Sequence, residues 1–370
     1  MPDDWKIKCL VPDLPGTADV IPYLQRMDAT RWYSNFGPLV NEFETRMGQL
    51  LGDMSAACTC APLTATFSSA TMALELVLRA SGLPDNARVL LPALTFSATA
   101  SAIAITGHKP VFSDVDDRTW DLTPEIARAA LKHGQIDAVM PVAIYGYPVD
   151  MEGWAAFKAE TGIPVFVDAA AALGNQQIHP EIPVVFSLHA TKPFGIGEGG
   201  LLVTGDHALL DQCQKLSNFA FDDGTSRAVG TNGKMPEAMA AYGLAQIERF
   251  TAVQAKRQNV LNQYIQYLGR EHFHPATSTH VPGTLLYDTR GNAEKLTRIL
   301  TENAIQTRKW YFPPVQEHEA YAGAAIIGDR GTALPVTESL KPRLVGLPFH
   351  AFLDENDIAM VAHHIHAVSD

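Results

Sequence analysis

Val184-Val-Phe-Ser-Leu-His-Ala-Thr-Lys-Pro-Phe-Gly-Ile-Gly-Glu-Gly-Gly-Leu-Leu-Val-Thr204 is the stretch around which the chain is organised. An apolar run ends in Ser187 and His189, and a single lysine, Lys192, follows between Thr191 and Pro193. Gly197-Glu198-Gly199-Gly200 then leads into a second apolar run, Leu201 to Val203. The pattern predicts a strand, a polar loop, a glycine turn and another strand. Such a loop can hold one amine in a partly desolvated place, where it loses its proton readily and forms a Schiff base with a carbonyl. A plain surface lysine in a glycine-rich hairpin has the same pattern, so the stretch by itself leaves both readings open.

Outward from this stretch, short apolar runs alternate with helical periodicity. Ala65 to Phe67, Val89 to Pro92, Lys109 to Asp114, Ala138 to Val142 and Val165 to Asp168 read as strands. Met72 to Ala80, Phe96 to Ile105, Pro124 to Lys132 and Met151 to Thr161 read as the helices between them. Alternation at this spacing predicts an α/β domain with a mostly parallel sheet, whose ligands sit beyond the carboxyl ends of the strands. Thr71, Phe96, Asp168 and the Lys192 loop all fall at or near such ends. Ser68-Ser69-Ala70-Thr71 opens a helix directly after a strand, a place that suits a phosphate and equally suits simple N-capping.

Residues 1 to 36 read as irregular, punctuated by Pro12, Pro15 and Pro22, and Leu39 to Leu51 as a helix. Past Gly205 come a helix from Asp206 to Ser217, a polar loop from Ala220 to Met235, and one or two long helices from Pro236 to Leu268. Shorter strands and helices follow, at Gly283 to Asp288, Ala293 to Asn303, Pro342 to Leu347 and Glu355 to Val368. The expected division is a large domain over 1–250 and a smaller α+β domain over 251–370.

The chain has 370 residues, 46% of them hydrophobic and 18% charged, an ordinary globular composition long enough for a large core. A formal net charge of −12 argues against nucleic acid and anionic membranes as partners. Four cysteines are too few for a disulfide scaffold, and Cys58-Thr59-Cys60 lacks the two-residue gap of common zinc or redox pairs, so no metal is expected. The N-terminus has no basic-then-apolar signal pattern, and no apolar run approaches a membrane span. The expectation is a soluble, cytoplasmic protein.

An amine nucleophile, a strand-end acid and a helix N-terminus together suit pyridoxal 5′-phosphate (PLP). That cofactor needs a lysine for its aldehyde, an anion beside its pyridine nitrogen, N–H groups for its phosphate and an aromatic over its ring. The chain resembles the DegT/DnrJ/StrS family of PLP-dependent nucleotide-sugar aminotransferases over nearly its whole length. The segments that carry the resemblance include Ser34 to Val40, Ser69 to Leu74, Pro92 to Phe96, Lys109 to Asp116, Pro141 to Gly146 with Asp150, and Val167 to Ala170. Ser187 to Lys192, Gly197 to Gly200 and Gly230 to Met235 complete the series in the family's order.

The resemblance implies the fold-type-I aminotransferase architecture, with a large mixed, mostly parallel sheet domain, a smaller C-terminal domain, and a homodimer with shared active sites. It implies that Lys192 is the Schiff-base lysine and proton carrier, and that Asp168 partners the pyridine nitrogen. Ala70, Thr71 and Ser187 become phosphate contacts, Phe96 the stacking aromatic, and Asn232 a phosphate contact reaching the neighbouring subunit. Lys192 also separates the chain from the family's dehydratase branch, in which histidine replaces that lysine. One position departs from the pattern: many members carry Gln, His or Glu three residues after the aspartate, and here Ala171 stands there.

The expected reaction converts a nucleotide-linked 4-keto-6-deoxy sugar, or as second choice a 3-keto sugar, to an amino sugar with L-glutamate as donor, for a surface polysaccharide or a glycosylated metabolite. Lys309, Trp310 and Tyr311 are candidate contacts to the nucleotide or pyrophosphate by charge and stacking, or else a strand edge with solvated ends. A non-nucleotide keto-cyclitol is the alternative substrate. A non-catalytic PLP-binding regulator is the alternative of another class, against which the intact Lys192, Asp168 and Thr71 argue.

Overall fold

The computed structural model describes residues 5–54, 62–327 and 333–369; Cys58 and Cys60 lie outside the described residues. In chain order, the first half contains α1 (Thr17–Thr30), α2 (Pro38–Met54), β1 (Leu63–Phe67), α3 (Ala70–Ala80), β2 (Arg88–Pro92), α4 (Ser97–Ile105), β3 (Lys109–Ser113), α5 (Pro124–Leu131) and β4 (Ala138–Val139). It continues with α6 (Met151–Thr161), β5 (Val167–Asp168), β6 (Val184–Ser187), β7 (Gly200–Thr204), α7 (His207–Ser217) and a short hairpin of β8 (Phe221–Asp222) and β9 (Thr225–Ser226). Then come α8 (Glu237–Leu268), β10 (Leu285–Asp288), α9 (Ala293–Glu302), β11 (Ala325–Ile326), α10 (Pro335–Leu340), β12 (Leu344–Leu347) and α11 (Glu355–Ser369).

Two four-stranded sheets, β1-β7-β6-β5 and β11-β3-β2-β4, are joined by parallel bridges Val139–Val165 and Val142–Asp168 between β4 and β5. The result is one mixed sheet in the order β1-β7-β6-β5-β4-β2-β3-β11. Within it β7 runs antiparallel to β1 and β6, and the remaining pairings are parallel. Strands β6 and β7 are buried along their whole length, as expected where helices cover both faces. Their side chains alternate between two cores. Val184, Phe186, Leu201 and Val203 face the core that holds Phe43, Trp154, Phe157 and Leu244, whereas Val185 and Leu202 face the one that holds Leu74, Val77, Ile103 and Cys213.

Two buried carboxylates fasten distant segments to this sheet layer. Glu237, at the start of α8, accepts from the backbone N–H groups of Leu39 (2.8 Å) and Val40 (2.9 Å), capping α2 from across the molecule. Asp114, just after β3, accepts from Val336 N (2.9 Å), Thr337 N (2.8 Å) and Thr337 Oγ1 (2.7 Å), capping α10.

A third core gathers Val260, Leu261, Tyr264, Leu285, Leu296, Val345 and Ile358, with the antiparallel pair β10–β12 at its centre. The 250/251 division falls inside the unbroken helix α8. Ile7 belongs to this third core and bridges to Ile305, while β11 pairs with β3 in the large sheet. Both segments therefore cross the line that the sequence suggests.

The structure differs from expectation in the first thirty-six residues, where α1 replaces an irregular segment. Pro22 lies inside that helix and leaves one helical acceptor without its N–H, a local cost that packing of α1 on α8 overrides. The Ala220 to Met235 loop also carries the β8–β9 hairpin, whose exposed two-residue strands have no periodicity to read.

Candidate active site

The Lys192 loop is closed by its own ladder. Leu188 N donates to Gly199 O (2.9 Å), Ile196 N to Leu188 O (2.9 Å) and Ala190 N to Gly197 O (2.8 Å). A Cβ at Gly195 would lie 2.4 Å from Ala190 O, so only glycine allows this tight return. Ser187 Oγ accepts from His189 N (3.2 Å), and Lys192 N donates to His189 O (2.9 Å). Lys192 lines a cavity of about 310 Å³ that it shares with Ala70, Thr71, Phe96, Ser187, Trp310 and Tyr311. Burial lowers the lysine's pKa, opposed by the nearby Asp168 charge, so the neutral amine is more accessible here than in water.

Asp168 ends β5 and is buried at 4% exposure. Thr99 Oγ1 donates to its Oδ2 (2.8 Å) and Ala170 N to its Oδ1 (3.1 Å). Thr99 has a single hydroxyl proton and spends it on Asp168, so in the 2.8 Å contact between Thr95 Oγ1 and Thr99 Oγ1 the donor is Thr95. Burial raises the Asp168 pKa, against the lowering effects of Thr99, Ala170 and Lys192.

Ser69 is the N-cap of α3, with its Oγ accepting from Met72 N (3.1 Å). Capping therefore occupies Ser69, and the first-turn N–H groups of Ala70 and Thr71 remain for an anion. Strand β7 comes against this turn through Gly200, where a Cβ would lie 2.2 Å from Ser69 O and 2.6 Å from Ala70 N. The helix N-terminus and the lysine loop meet because that position has no side chain.

Phe96 is 59% exposed and sits on the cavity wall rather than in a core, its ring centroid 5.7 Å from that of Tyr311. Tyr311 stacks in turn on Tyr145 (5.4 Å), whose hydroxyl donates to Trp310 O (2.6 Å). Trp310 and Tyr311 thus belong to the cavity. Lys309 is exposed and does not line it.

Asn232 is also placed elsewhere. It lines a separate cavity with Ser34, Asn35, Asn218 and Lys234, and its Oδ1 accepts from Lys234 Nζ (2.8 Å). Within one chain, then, the cavity assembles every candidate except Lys309, Asn232 and the fully buried Asp168, which stands behind its wall. Sequence reasoning missed Thr99, which sits in the first turn of α4 three residues after Phe96, where a threonine reads as an ordinary helical residue. It missed Tyr145, Gly283 and Thr284 as well, for which no local pattern exists.

The sequence profile of the DegT/DnrJ/EryC1/StrS aminotransferase family matches residues 16–366. The chain belongs to this family. A curated relative, Protein Rv3402c of Mycobacterium tuberculosis, is 30% identical over 96% of this chain and 88% of its own length. The dTDP-4-amino-4,6-dideoxy-D-glucose transaminase of Shigella dysenteriae is 27% identical over 93% of this chain and 94% of its own. Among solved structures, DesI in the presence of its TDP-sugar product superposes with a TM-score of 0.85 at 30% identity, covering 98% of this chain and 93% of DesI. As a DegT-type aminotransferase the protein is a PLP-dependent enzyme of the fold-type-I architecture, with the mixed sheet described above as its large layer. Among the described residues no helix is long and apolar enough to cross a membrane, and no cluster of metal-ligating side chains occurs.

Proposed function

We propose that this aminotransferase converts a nucleotide-linked 4-keto-6-deoxy sugar to the corresponding amino sugar, with L-glutamate as amino donor and a homodimer as the working unit. The observation that carries the reading is one cavity lined by Lys192, the α3 N-terminus, Trp310 and Tyr311, with the buried Asp168 close enough to Lys192 for their charges to interact. The relative named dTDP-4-amino-4,6-dideoxy-D-glucose transaminase and DesI, solved in the presence of its TDP-sugar product, support a nucleotide sugar as substrate, and the first of them is the support for amination at C4.

The wall fits the cofactor at each of its polar ends. Lys192 is the amine that would hold it and afterwards carry a proton between the two carbons of the transfer, a task for which a lowered pKa is suited. Asp168, buried and fed by Thr99, would pair with the pyridine nitrogen and keep it protonated. The Ala70 and Thr71 N–H groups and the Ser187 hydroxyl would take the phosphate, and the exposed Phe96 ring would cover one ring face. When bound, PLP supplies an electron sink for the carbon from which the proton is removed. Trp310 and Tyr311 are assigned to the substrate. Lys309 is kept at most as an outer charge near the nucleotide, and Asn232 as a contact to the neighbouring subunit's phosphate. Cytoplasmic residence accords with the acidic charge and with the substrate class.

The test uses purified protein. Visible absorbance of the lysine-bound cofactor is expected, with bleaching on addition of glutamate and return of colour on addition of a nucleotide-linked 4-keto-6-deoxy sugar. Lack of bleaching with every amino donor overturns the transamination, whereas colour returned only by keto-cyclitols replaces the substrate class. Lys192→Ala is expected to lose the colour of the covalent adduct; an unchanged spectrum would mean that another lysine holds the cofactor.

A further inference from the structure

Part of the cavity wall has no role in the preceding account: Gly283 and Thr284, packed against Ala171. Gly283 lies so close that a Cβ on it would stand 2.7 Å from Ala171 O and 3.1 Å from Ala171 Cβ. Gly146, at φ 95°, faces it with equal closeness, since a Cβ there would meet Gly283 N at 2.4 Å. The segment is fixed from several sides. Gly283 N and Thr284 N both donate to Tyr145 O (2.7 and 3.1 Å), and Asn175 Nδ2 donates to Val281 O (2.7 Å). The buried Arg257 guanidinium, lying 4.6 Å from the Phe349 ring centroid, donates through Nη2 to Pro282 O (2.8 Å) and Gly283 O (2.9 Å).

On this rigid backbone sits a hydroxyl without a task. Thr284 is half-buried and lines the cavity, yet its Oγ1 is occluded and has no hydrogen-bond partner among the described residues. A buried polar atom left unpaired costs roughly 1–3 kcal/mol, which a partner supplied by a ligand in the cavity would relieve. Rotation about χ1 exchanges the threonine methyl and hydroxyl, and no bond holds the hydroxyl back from turning into the cavity. The residue is tied to the substrate side of the wall through Tyr145. That residue's carbonyl holds Thr284, its hydroxyl holds Trp310 and its ring stacks on Tyr311. Beside it Ala171 contributes only a methyl group.

We propose that Thr284 is a sugar-reading residue of this site, its hydroxyl bonding a ring hydroxyl of the hexose in the corner where Ala171 provides no polar group. The assignment rests on the nucleotide-sugar reading above. A hydroxyl both donates and accepts, so it can satisfy a sugar hydroxyl in either sense. Gly283, Gly146 and Arg257 are positioning residues that set the height of Thr284 on the wall.

The experiment measures calorimetric binding of dTDP-4-amino-4,6-dideoxyglucose and of bare dTDP, for wild type, Thr284→Val and Thr284→Ser, to enzyme loaded with the amine form of the cofactor, which has no carbonyl for the sugar amine to attack. Thr284→Val keeps the shape and removes the hydroxyl. It is expected to weaken the sugar nucleotide about tenfold, the usual scale of one lost hydrogen bond in a buried site, and to leave dTDP unchanged. Thr284→Ser is expected to restore most of the loss, and the visible spectrum of the PLP-loaded form is expected to be the same in all three. Equal sugar-nucleotide affinity in wild type and Thr284→Val overturns the assignment while leaving the substrate class standing. Equal weakening of dTDP and the sugar nucleotide also overturns it, because the residue would then read the nucleotide or act through the fold. A wild type that binds dTDP-sugar no better than dTDP overturns the substrate reading itself and this assignment with it.

Discussion

Thr99 shows how a residue outside the expected set can control one inside it. Among the described residues its hydroxyl is one of two donors to a buried carboxylate whose pKa burial already raises. Thr99→Val removes that donor without changing volume, so the Asp168 pKa is expected to rise further and the proton on the cofactor nitrogen to be held less firmly. The expected outcome is a loss of roughly tenfold in kcat and a weaker cofactor affinity, measured by steady-state kinetics and by titration of apoprotein with PLP, with a Tm lowered by the equivalent of about 1–3 kcal/mol because the buried Thr95 hydroxyl loses its acceptor. An Asp168→Asn variant is expected to lose about a thousandfold or more, since the charge itself disappears. Lys192, Asp168 and the α3 opening were legible because each falls at or near a strand end of a mostly parallel sheet, where ligands gather. Thr99 and Thr284 were not, because a threonine in a helix or before a strand is ordinary until its neighbours are known.

The contact between strand and helix is as demanding as any single side chain. Gly200 on β7 allows the Ser69–Ala70 turn to approach, and a methyl group there would meet backbone at 2.2 Å. Gly200→Ala is expected to push the α3 N-terminus away from the Lys192 loop. Thermal unfolding should register a cost of about 1–3 kcal/mol, and PLP titration a weaker cofactor affinity by tenfold or more. A second prediction concerns the α2–β1 contact, where the buried Glu44 accepts from Thr66 N (2.7 Å) and Thr66 Oγ1 (2.8 Å). Burial raises its pKa to about 7. A carboxyl raised in the folded state binds more protons folded than unfolded, so its effect on stability is most favourable below its unfolded pKa and is lost as pH rises towards 7. Glu44→Gln keeps an acceptor for both Thr66 donors and removes the titration. Its Tm is expected to exceed that of wild type above pH 7, and its pH dependence between about 5 and 7 to be flatter. The helices and strands of the large layer were readable from periodicity because each is buried on a predictable side. Helix α1 was not, since its proline argued against a helix and only packing on α8 restored it.

At the scale of the molecule, Asn232 and the cavity stand apart within one chain, and the proposed homodimer would bring them together. Mixing Lys192→Ala with Asn232→Ala protein tests this directly, because a mixed dimer has one site with both changes and one with neither. After subunit exchange at equal amounts, activity is expected to recover to about a quarter of wild type, from half of the dimers being mixed with one intact site each. Recovery to nothing above the separate variants would place Asn232 in its own chain's chemistry. The same scale exposes what periodicity could not convey, namely which core each segment joins. Ile7 bridges to Ile305 and packs with the third core, and Ala325–Ile326 extends the large sheet beyond β3. These pairings have a practical corollary for recombination. A chimera that joined residues 1–250 of this enzyme to the remainder of another would mismatch the Ile7–Ile305 bridge and the β3–β11 edge at once. Crossover points that transplant substrate preference must instead keep the edge strand with its sheet and move the amino-terminal ribbon with the carboxy-terminal lobe, so the heritable unit of specificity is discontinuous in the gene.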